Sequence, residues 1–255
     1  MNAVFVSVCV ILGGRERMST EKSRFKDKVA IVTGSAKGMG KQLAVNMAAE
    51  GARVVLTDID EGALNLAREE IERDGGECIA IPCDVSKPEA IEALVAEVTK
   101  EWRTVDILVN NAGLLLVGTL EEMDDDIIDR TLDVNVKGVL YFIRAVAPIM
   151  KKNNYGKIIN VASITGKNGD GSTFPVYGGS KGAVISITRS IARALGPFNV
   201  NCNAIAPHAV MTEMMSYWTE ERKERARSKI PLNRLGTVED MSNLMMFLAS
   251  EETSF

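Results

Sequence analysis

Tyr177 and Lys181 stand four residues apart in the run Tyr177-Gly-Gly-Ser-Lys181, a spacing that puts a phenol and an ammonium one turn apart on one helix face. A free tyrosine titrates near pH ~10, and a fixed cation within a few ångströms favours the phenolate, which suits the group to give or take a proton at neutral pH. Beside a hydride carrier, such a phenol protonates the alkoxide forming from a carbonyl, or removes the proton of an alcohol. Seen alone, the pair also suits an ordinary helix surface. The glycines at 178, 179 and 182 point the other way. Each costs a helix up to ~1 kcal/mol relative to alanine, so something must approach this helix closely.

A second stretch is suited to holding a phosphate. Val29 to Val32 form a short apolar run with β-branched members, the pattern of a strand buried on both faces of a parallel sheet. It breaks at Gly34, Gly38 and Gly40 into the helical Lys41-Gln42-Leu43-Ala44-Val45. Gly34 permits a sharp turn, and Gly38 and Gly40 leave no side chain between backbone and ligand. The helix N-terminus adds unpaired N–H groups with a partial positive charge. A tight turn alone would also use such glycines. The next strand, however, ends in Asp58, eighteen residues beyond Gly40. Dinucleotide folds place the carboxylate that binds the adenosine ribose hydroxyls near that spacing.

The elements that must position these groups alternate along the chain. Glu61 to Asp74 is an amphipathic helix closed by Gly75-Gly76, and Cys78 to Pro82 is a third strand. Asp84 and Val85 follow, and Ser86, with Pro88 and Glu89 behind it, is expected to cap a helix through Lys100. A fourth strand, Val105 to Val109, stops at Asn110-Asn111-Ala112-Gly113, a small polar turn where ligands collect in open parallel sheets. Met123 to Met150 reads as one long helix with Asn135 in its middle, Lys157 to Val161 as a fifth strand ending at Ser163, Val176 to Leu195 as a helix, and Val200 to Ala206 as a sixth strand. Right-handed crossovers then predict an α/β fold, a doubly wound parallel sheet of Rossmann type in the order 3-2-1-4-5-6, as one domain over residues 25–255.

Thr33-Gly34-Ser-Ala-Lys-Gly38-Met-Gly40, Asn110-Asn111-Ala112-Gly113, Asn135, Ser163 and Tyr177-x-x-x-Lys181 resemble, in order and spacing, the short-chain dehydrogenase/reductase family over about residues 25 to 255. The likeness is to 3-oxoacyl-(acyl-carrier-protein) reductases and to alcohol and polyol dehydrogenases. It implies a tetrad: Tyr177 as acid/base, Lys181 binding the ribose and lowering the tyrosine pKa, Ser163 polarising the substrate oxygen, and Asn135 holding a water in a proton relay. Read without it, Ser163 is equally a loop hydroxyl and Asn135 equally a polar residue that kinks a helix. The resemblance further implies that Gly34, Lys37, Gly38, Met39, Gly40, Asp58 and Ile59 bind the cofactor. It puts Asp84 and Val85 at the adenine, Asn111 beside the ribose, and Val210 and Thr212 near the nicotinamide amide. Asp58 repels a 2′-phosphate, whereas Lys37 occupies a place where related NADP enzymes often carry a basic residue. A carboxylate facing a dianion costs more than one flexible lysine returns, so NAD is the expected cofactor and NADP the less favoured.

The function so implied is hydride transfer between NAD(H) and a secondary alcohol or ketone: a 3-oxoacyl thioester, a sugar or polyol, or a cyclic alcohol. The resemblance also implies a homodimer or homotetramer built on the helices of Asn135 and Tyr177. A competing expectation is a protein that binds NAD without turnover. Relatives continue past Phe247-Leu-Ala-Ser250 into a seventh strand and a pocket-closing tail, whereas this chain stops at Phe255, which predicts an exposed sheet edge and apolar patch. His208 follows Pro207 where the family has Pro-Gly. It either strains the turn, brings an imidazole near the nicotinamide or, the plainer expectation, faces solvent. Glu213 to Ile230 corresponds to a mobile lid in relatives, and its Met214, Met215, Tyr217 and Trp218 either line the pocket or pack the helix.

Composition sets the outer bounds. With 255 residues, 46% apolar and 25% charged, the chain has length for one deep-cored domain, and a net charge of −4 provides no basic field for nucleic acid. Cys9, Cys78, Cys83 and Cys202 lack C-x-x-C spacing and fall in or near strands, so buried free thiols in a reducing cytoplasm are expected rather than disulfides or a metal site. A single histidine excludes a multi-histidine metal centre and leaves little room for a histidine-based triad. Ala3 to Leu12 is apolar but too short to span a membrane, with neither a basic start nor a clear cleavage site. Met18, ahead of the polar Ser19 to Arg24, points to a second translation start. Residues 1–24 are therefore expected to lie outside the fold, and deletion of 1–17 to leave stability and activity almost unchanged.

Overall fold

Strand β1 (Val29–Thr33) is buried at every position, and its side chains divide by parity: Ala30 and Val32 enter one core, Val29 and Ile31 the other. Only a sheet covered on both faces buries a strand this way. In the computed structural model, which describes residues 23–216 and 218–254, β1 lies at the centre of a parallel sheet ordered β3-β2-β1-β4-β5-β6. The other strands are β2 (Arg53–Thr57), β3 (Glu77–Ala80), β4 (Ile107–Asn110), β5 (Gly156–Val161) and β6 (Val200–Ile205). The expected order is the observed one. Residues 1–17, Cys9 and Tyr217 lie outside the described residues.

On one face, helices α1 (Gly38–Ala49), α2 (Glu61–Arg73) and α9 (Val238–Ala249) bury Leu43, Met47, Leu64, Ile71, Met245 and Met246. On the other, α3 (Pro88–Trp102), α5 (Gly138–Asn153) and α7 (Pro175–Leu195) bury Ile91, Leu94, Phe142, Val146, Val184 and Leu195. The chain turns one way from β1 toward β2 and the other way at β4, so the carboxyl ends of β1 and β4 flank the switch point where doubly wound sheets hold ligands.

Several local expectations are corrected. Ser86 does not cap α3: the N-cap is Lys87, without a side-chain bond, and the Ser86 N–H donates to Asp84 Oδ1 at 2.9 Å in a turn ahead of Pro88. The helix expected from Met123 to Met150 is three pieces. Helix α4 (Asp125–Leu132) starts at Asp124, whose carboxylate accepts from the Ile127 N–H at 2.8 Å, and a π turn over Asp133–Lys137 then leads into α5. A Cβ on Gly138 would lie 2.9 Å from the Val85 carbonyl, so the chain packs tightly just where it leaves the π turn. What approaches the glycines of α7 is the short helix α6 (Thr165–Asn168). A Cβ on Gly182 would meet the Gly166 carbonyl at 3.0 Å and one on Gly178 would meet Thr165 at 3.4 Å, whereas Gly179 faces open space. His208 is not among the non-glycine residues with positive φ, so the strained-turn expectation falls, and the side chain is exposed. Cys78, Cys83 and Cys202 are free thiols; burial pushes the first two up to about 11 and Cys202 up to about 12.

Among the described residues β6 is a sheet edge, and α9 leaves Leu244 and Phe247 exposed. Among them, too, no helix is long and apolar enough to cross a membrane, and no group of three His, Cys, Asp or Glu residues is placed to hold a metal ion.

Candidate active site

The turns that follow β1 and β4 are laced together by one hydroxyl and one amide. Thr33 Oγ1 accepts from the Asn111 N–H at 3.0 Å and the Ala112 N–H at 2.9 Å, and the Asn111 amide donates to the carbonyls of Thr33 and Gly34 at 3.0 and 2.9 Å. No side chain fits between them. A Cβ on Gly34, whose φ is +63°, would lie 2.9 Å from Ala112 Cα, and one on Gly40 would lie 2.2 Å from the Gly34 carbonyl. Asn111 Oδ1 is left buried without a partner, which in a native structure points to a ligand or water not yet counted.

Beside this turn, Asp58 ends the segment after β2. Its carboxylate accepts from the backbone N–H groups of Ala36 at 3.2 Å and Asp60 at 3.1 Å. Ile59 next to it is 75% exposed. Lys37 reaches sideways: its ammonium lies 3.0 Å from Asp60 and 3.8 Å from Glu213, and the Asp60 bond holds its pKa above the usual lysine value. Asp84 is exposed, and Val85 is buried against Gly138.

Helix α7 presents Tyr177 and Lys181 inward, 8% and 4% exposed. The Lys181 ammonium donates to the Val161 carbonyl at 2.8 Å and lies 6.0 Å from the centre of the Tyr177 ring. Burial pushes its pKa down to about 8. Ser163, just past β5, is buried, and its Oγ accepts from the Thr165 N–H at 3.2 Å. Asn135 is fully buried in the π turn with its amide committed. Oδ1 accepts from the Leu114 N–H at 2.7 Å, and Nδ2 donates to the Leu114 carbonyl at 2.9 Å and to Ser180 Oγ at 3.0 Å. Ser180 in turn donates to the Tyr177 carbonyl at 2.7 Å, so the α4–α5 segment is tied to the tyrosine's own turn.

A cavity of about 730 Å³ brings together Ser163, Tyr177 and Lys181 with Met39, Asn111, Val210 and Thr212. Gly34, Lys37, Gly38, Gly40, Asp58, Ile59, Asp84 and Val85 are not part of its wall, and their elements lie on the β1–β2–β3 side of the cleft. Asn135 lies behind the wall. His208 is on the wall as well as exposed. In the lid region both readings hold: Met215 and Trp218 line the cavity and also pack with Ala209 and Leu235. Sequence reasoning missed Thr33 and Ser180. For Thr33 the one available signal is a hydroxyl on the last strand residue before a glycine turn.

Known proteins resemble this chain over most of its length. The profile of the enoyl-(acyl carrier protein) reductase family matches residues 34–255. The 2-dehydro-3-deoxy-L-rhamnonate dehydrogenase (NAD(+)) of a Sphingomonas species is 36% identical, with 93% of this chain and 94% of the relative covered. The 3-oxoacyl-(acyl-carrier-protein) reductase of Thermotoga maritima is 36% identical, with 91% and 94% covered. A crystal structure of an NAD+-bound xylitol dehydrogenase superposes with a TM-score of 0.85 at 29% identity, covering 91% of this chain and 95% of that one.

Proposed function

We propose that this chain, which belongs to the short-chain dehydrogenase/reductase family, moves hydride between NAD(H) and a secondary alcohol or its ketone, with Tyr177 as general acid/base. The observation that carries this reading is the shared cavity wall, where a buried Tyr177, Lys181 and Ser163 face the same space as Met39 of the glycine turn. NAD, when bound, supplies the hydride acceptor or donor. The remaining chemistry is the chain's own. Ser163, whose oxygen accepts from Thr165, has its hydroxyl proton to give to the substrate oxygen. Tyr177 takes the proton of an alcohol as its carbon loses hydride, or returns it to a forming alkoxide. The Lys181 ammonium favours the phenolate and holds the nicotinamide ribose. Because the Asn135 amide is spent on Leu114 and Ser180, what this residue offers a proton relay is its backbone carbonyl at the π turn.

NAD is supported over NADP by the partners of the two charges that compete there. Asp58 stands at the end of the β2 segment, and Lys37 is already engaged by Asp60 and Glu213, leaving a 2′-phosphate to meet the carboxylate. The side-chain-free turn at Gly34 and Gly40 and the orphaned Asn111 Oδ1 fit a dinucleotide. A homodimer or homotetramer joined through the helices of Asn135 and Tyr177 completes the proposal; Leu140 is exposed on α5, immediately after the π turn.

Tyr177→Phe tests the acid/base. It is expected to lower kcat on a panel of secondary alcohols by about a hundredfold or more, with NAD binding by fluorescence titration retained. A variant within a few-fold of the parent overturns the assignment, and NAD binding by the parent without turnover of any alcohol makes the chain a binding protein.

A further inference from the structure

The cavity has a second wall that hydride transfer does not use. Helix α8 (Glu220–Ser228) turns Arg222 and Arg225 toward the cavity, and Lys229 at its C-cap extends the same face at offsets of three and seven residues from Arg222. The basic residues of α8 that do not line the cavity are neutralised within the helix: Lys223 pairs with Glu220 at 2.7 Å, and Arg227 pairs with Glu224. Arg225 and Lys229 form no ion pair among the described residues. Arg222 donates to Ser172 Oγ at 2.6 Å and stacks its guanidinium 4.5 Å from the Trp218 ring centre, which fixes it at the cavity wall.

Two carboxylates share this wall. Asp170 is satisfied by Ser172, whose backbone N–H and hydroxyl both donate to it, and Glu221 remains. Three cations therefore face two acids at the mouth of a cavity in a chain whose net charge is −4. The arrangement is also unfavourable for the helix itself. Like charges three and four residues apart repel, offset in part by Glu221 four residues before Arg225, and α8 adds only the partly buried Ala226 to the small cluster of Ala209, Met215 and Leu235. A bound anion between Arg225 and Lys229 would relieve it.

We infer that the substrate carries an anionic group, a carboxylate or a phosphate, held at the α8 wall by Arg225 and Lys229 with Arg222 positioned beside them, while its secondary alcohol or ketone faces Tyr177. This rests on the hydride-transfer reading and narrows it. A neutral polyol has no use for the charges of Arg225 and Lys229.

Matched pairs test it: 3-hydroxybutyrate against 1,3-butanediol, and gluconate against glucitol, each oxidised with NAD. 3-Hydroxybutyryl-CoA separates a phosphate-bearing substrate from a simple carboxylate. At low salt, kcat/KM for the anionic member is expected to exceed that of its neutral partner by about tenfold or more, and to fall as ionic strength rises. Arg225→Glu with Lys229→Glu is expected to lower that anionic-to-neutral ratio about a hundredfold, whereas Lys223→Glu with Arg227→Glu leaves it within about twofold. A parent ratio near one, or a ratio indifferent to the Arg225 and Lys229 reversal, overturns the inference while leaving hydride transfer intact. If neither member of a pair turns over, calorimetric titration of 3-hydroxybutyrate, gluconate and 3-hydroxybutyryl-CoA in the presence of NAD decides. Binding lost in the double reversal upholds the basic wall without the chemistry, and no binding of any of them sinks it.

Discussion

At the scale of single residues, Lys181 is the group whose state is most clearly set by its surroundings. Burial lowers its pKa from the usual 10.5 to about 8, so the cost of burying the ammonium is fully present below pH 8. Between the two values the unfolded chain holds a proton that the folded chain has released. This group therefore makes stability rise with pH across that window. Lys181→Met removes the titration and is expected to flatten the rise, measured as unfolding free energy from urea melts of ligand-free protein at about pH 7.5 and about pH 9.5. Equal slopes in parent and variant would mean that the ammonium is hydrated in the free enzyme. The Tyr177–Lys181 spacing was legible in the sequence because a local period of one helical turn suffices to pair them. The bonds of Asn135 were not, because its partners Leu114 and Ser180 are brought to it only by the assembled sheet and helices.

At the scale of elements, helix ends and interruptions decide where the site groups sit. Helix α9, which covers α1, starts with Thr237 Oγ1 accepting from the Asp240 N–H at 3.0 Å while the Asp240 carboxylate accepts from the Thr237 N–H at 2.9 Å. Arg234 beside Asp240 holds that carboxyl well below the usual range, so its contribution is present above ordinary carboxylate pKa values and is lost as the medium becomes strongly acidic. Thr237→Ala is expected to cost about 1 kcal/mol of unfolding free energy, read from the shift of the urea midpoint at constant slope. No shift would mean that the Arg234–Asp240 pair alone sets the helix start. Strand and helix order was readable from apolar runs and their periods, since the central strands β1, β4 and β5 are buried at every position and α1, α2, α3, α5, α7 and α9 each bury one face. The π turn was not: Met123 to Met150 reads as one helix, and the bonds that Asn135 makes from the π turn go to Leu114, in the turn after β4, 21 residues away. The glycines of α7 announced a close approach, but α6 has only four residues and no period to identify it as the partner.

At the scale of the whole molecule, the proposed nucleotide site belongs to no single element. The cavity is bounded by Met39 of the glycine turn after β1, by the turn after β4, by α7 and by the segment carrying Val210 and Thr212, with Lys37 reaching from the glycine turn to Glu213 of that segment. A ligand seated there binds the folded chain and not the unfolded one, so it stabilises by mass action, by about 2.7 kcal/mol at a hundred times its Kd. For a chain of this length that corresponds to a rise of roughly 5–10 °C in the melting midpoint. On the proposed placement of the nucleotide, NAD is expected to give this shift and NADP at the same concentration a clearly smaller one, because a 2′-phosphate would meet Asp58 while Lys37 is held by two carboxylates. With Asp58 in that proposed role, Asp58→Ala is expected to remove the repulsion along with the ribose-hydroxyl acceptors, so that the NAD shift falls and the NADP shift grows until the two approach each other. Differential scanning fluorimetry of parent and variant over a range of both nucleotides measures this without reference to any alcohol. A larger shift with NADP in the parent would transfer the cofactor preference from the carboxylate to the lysine.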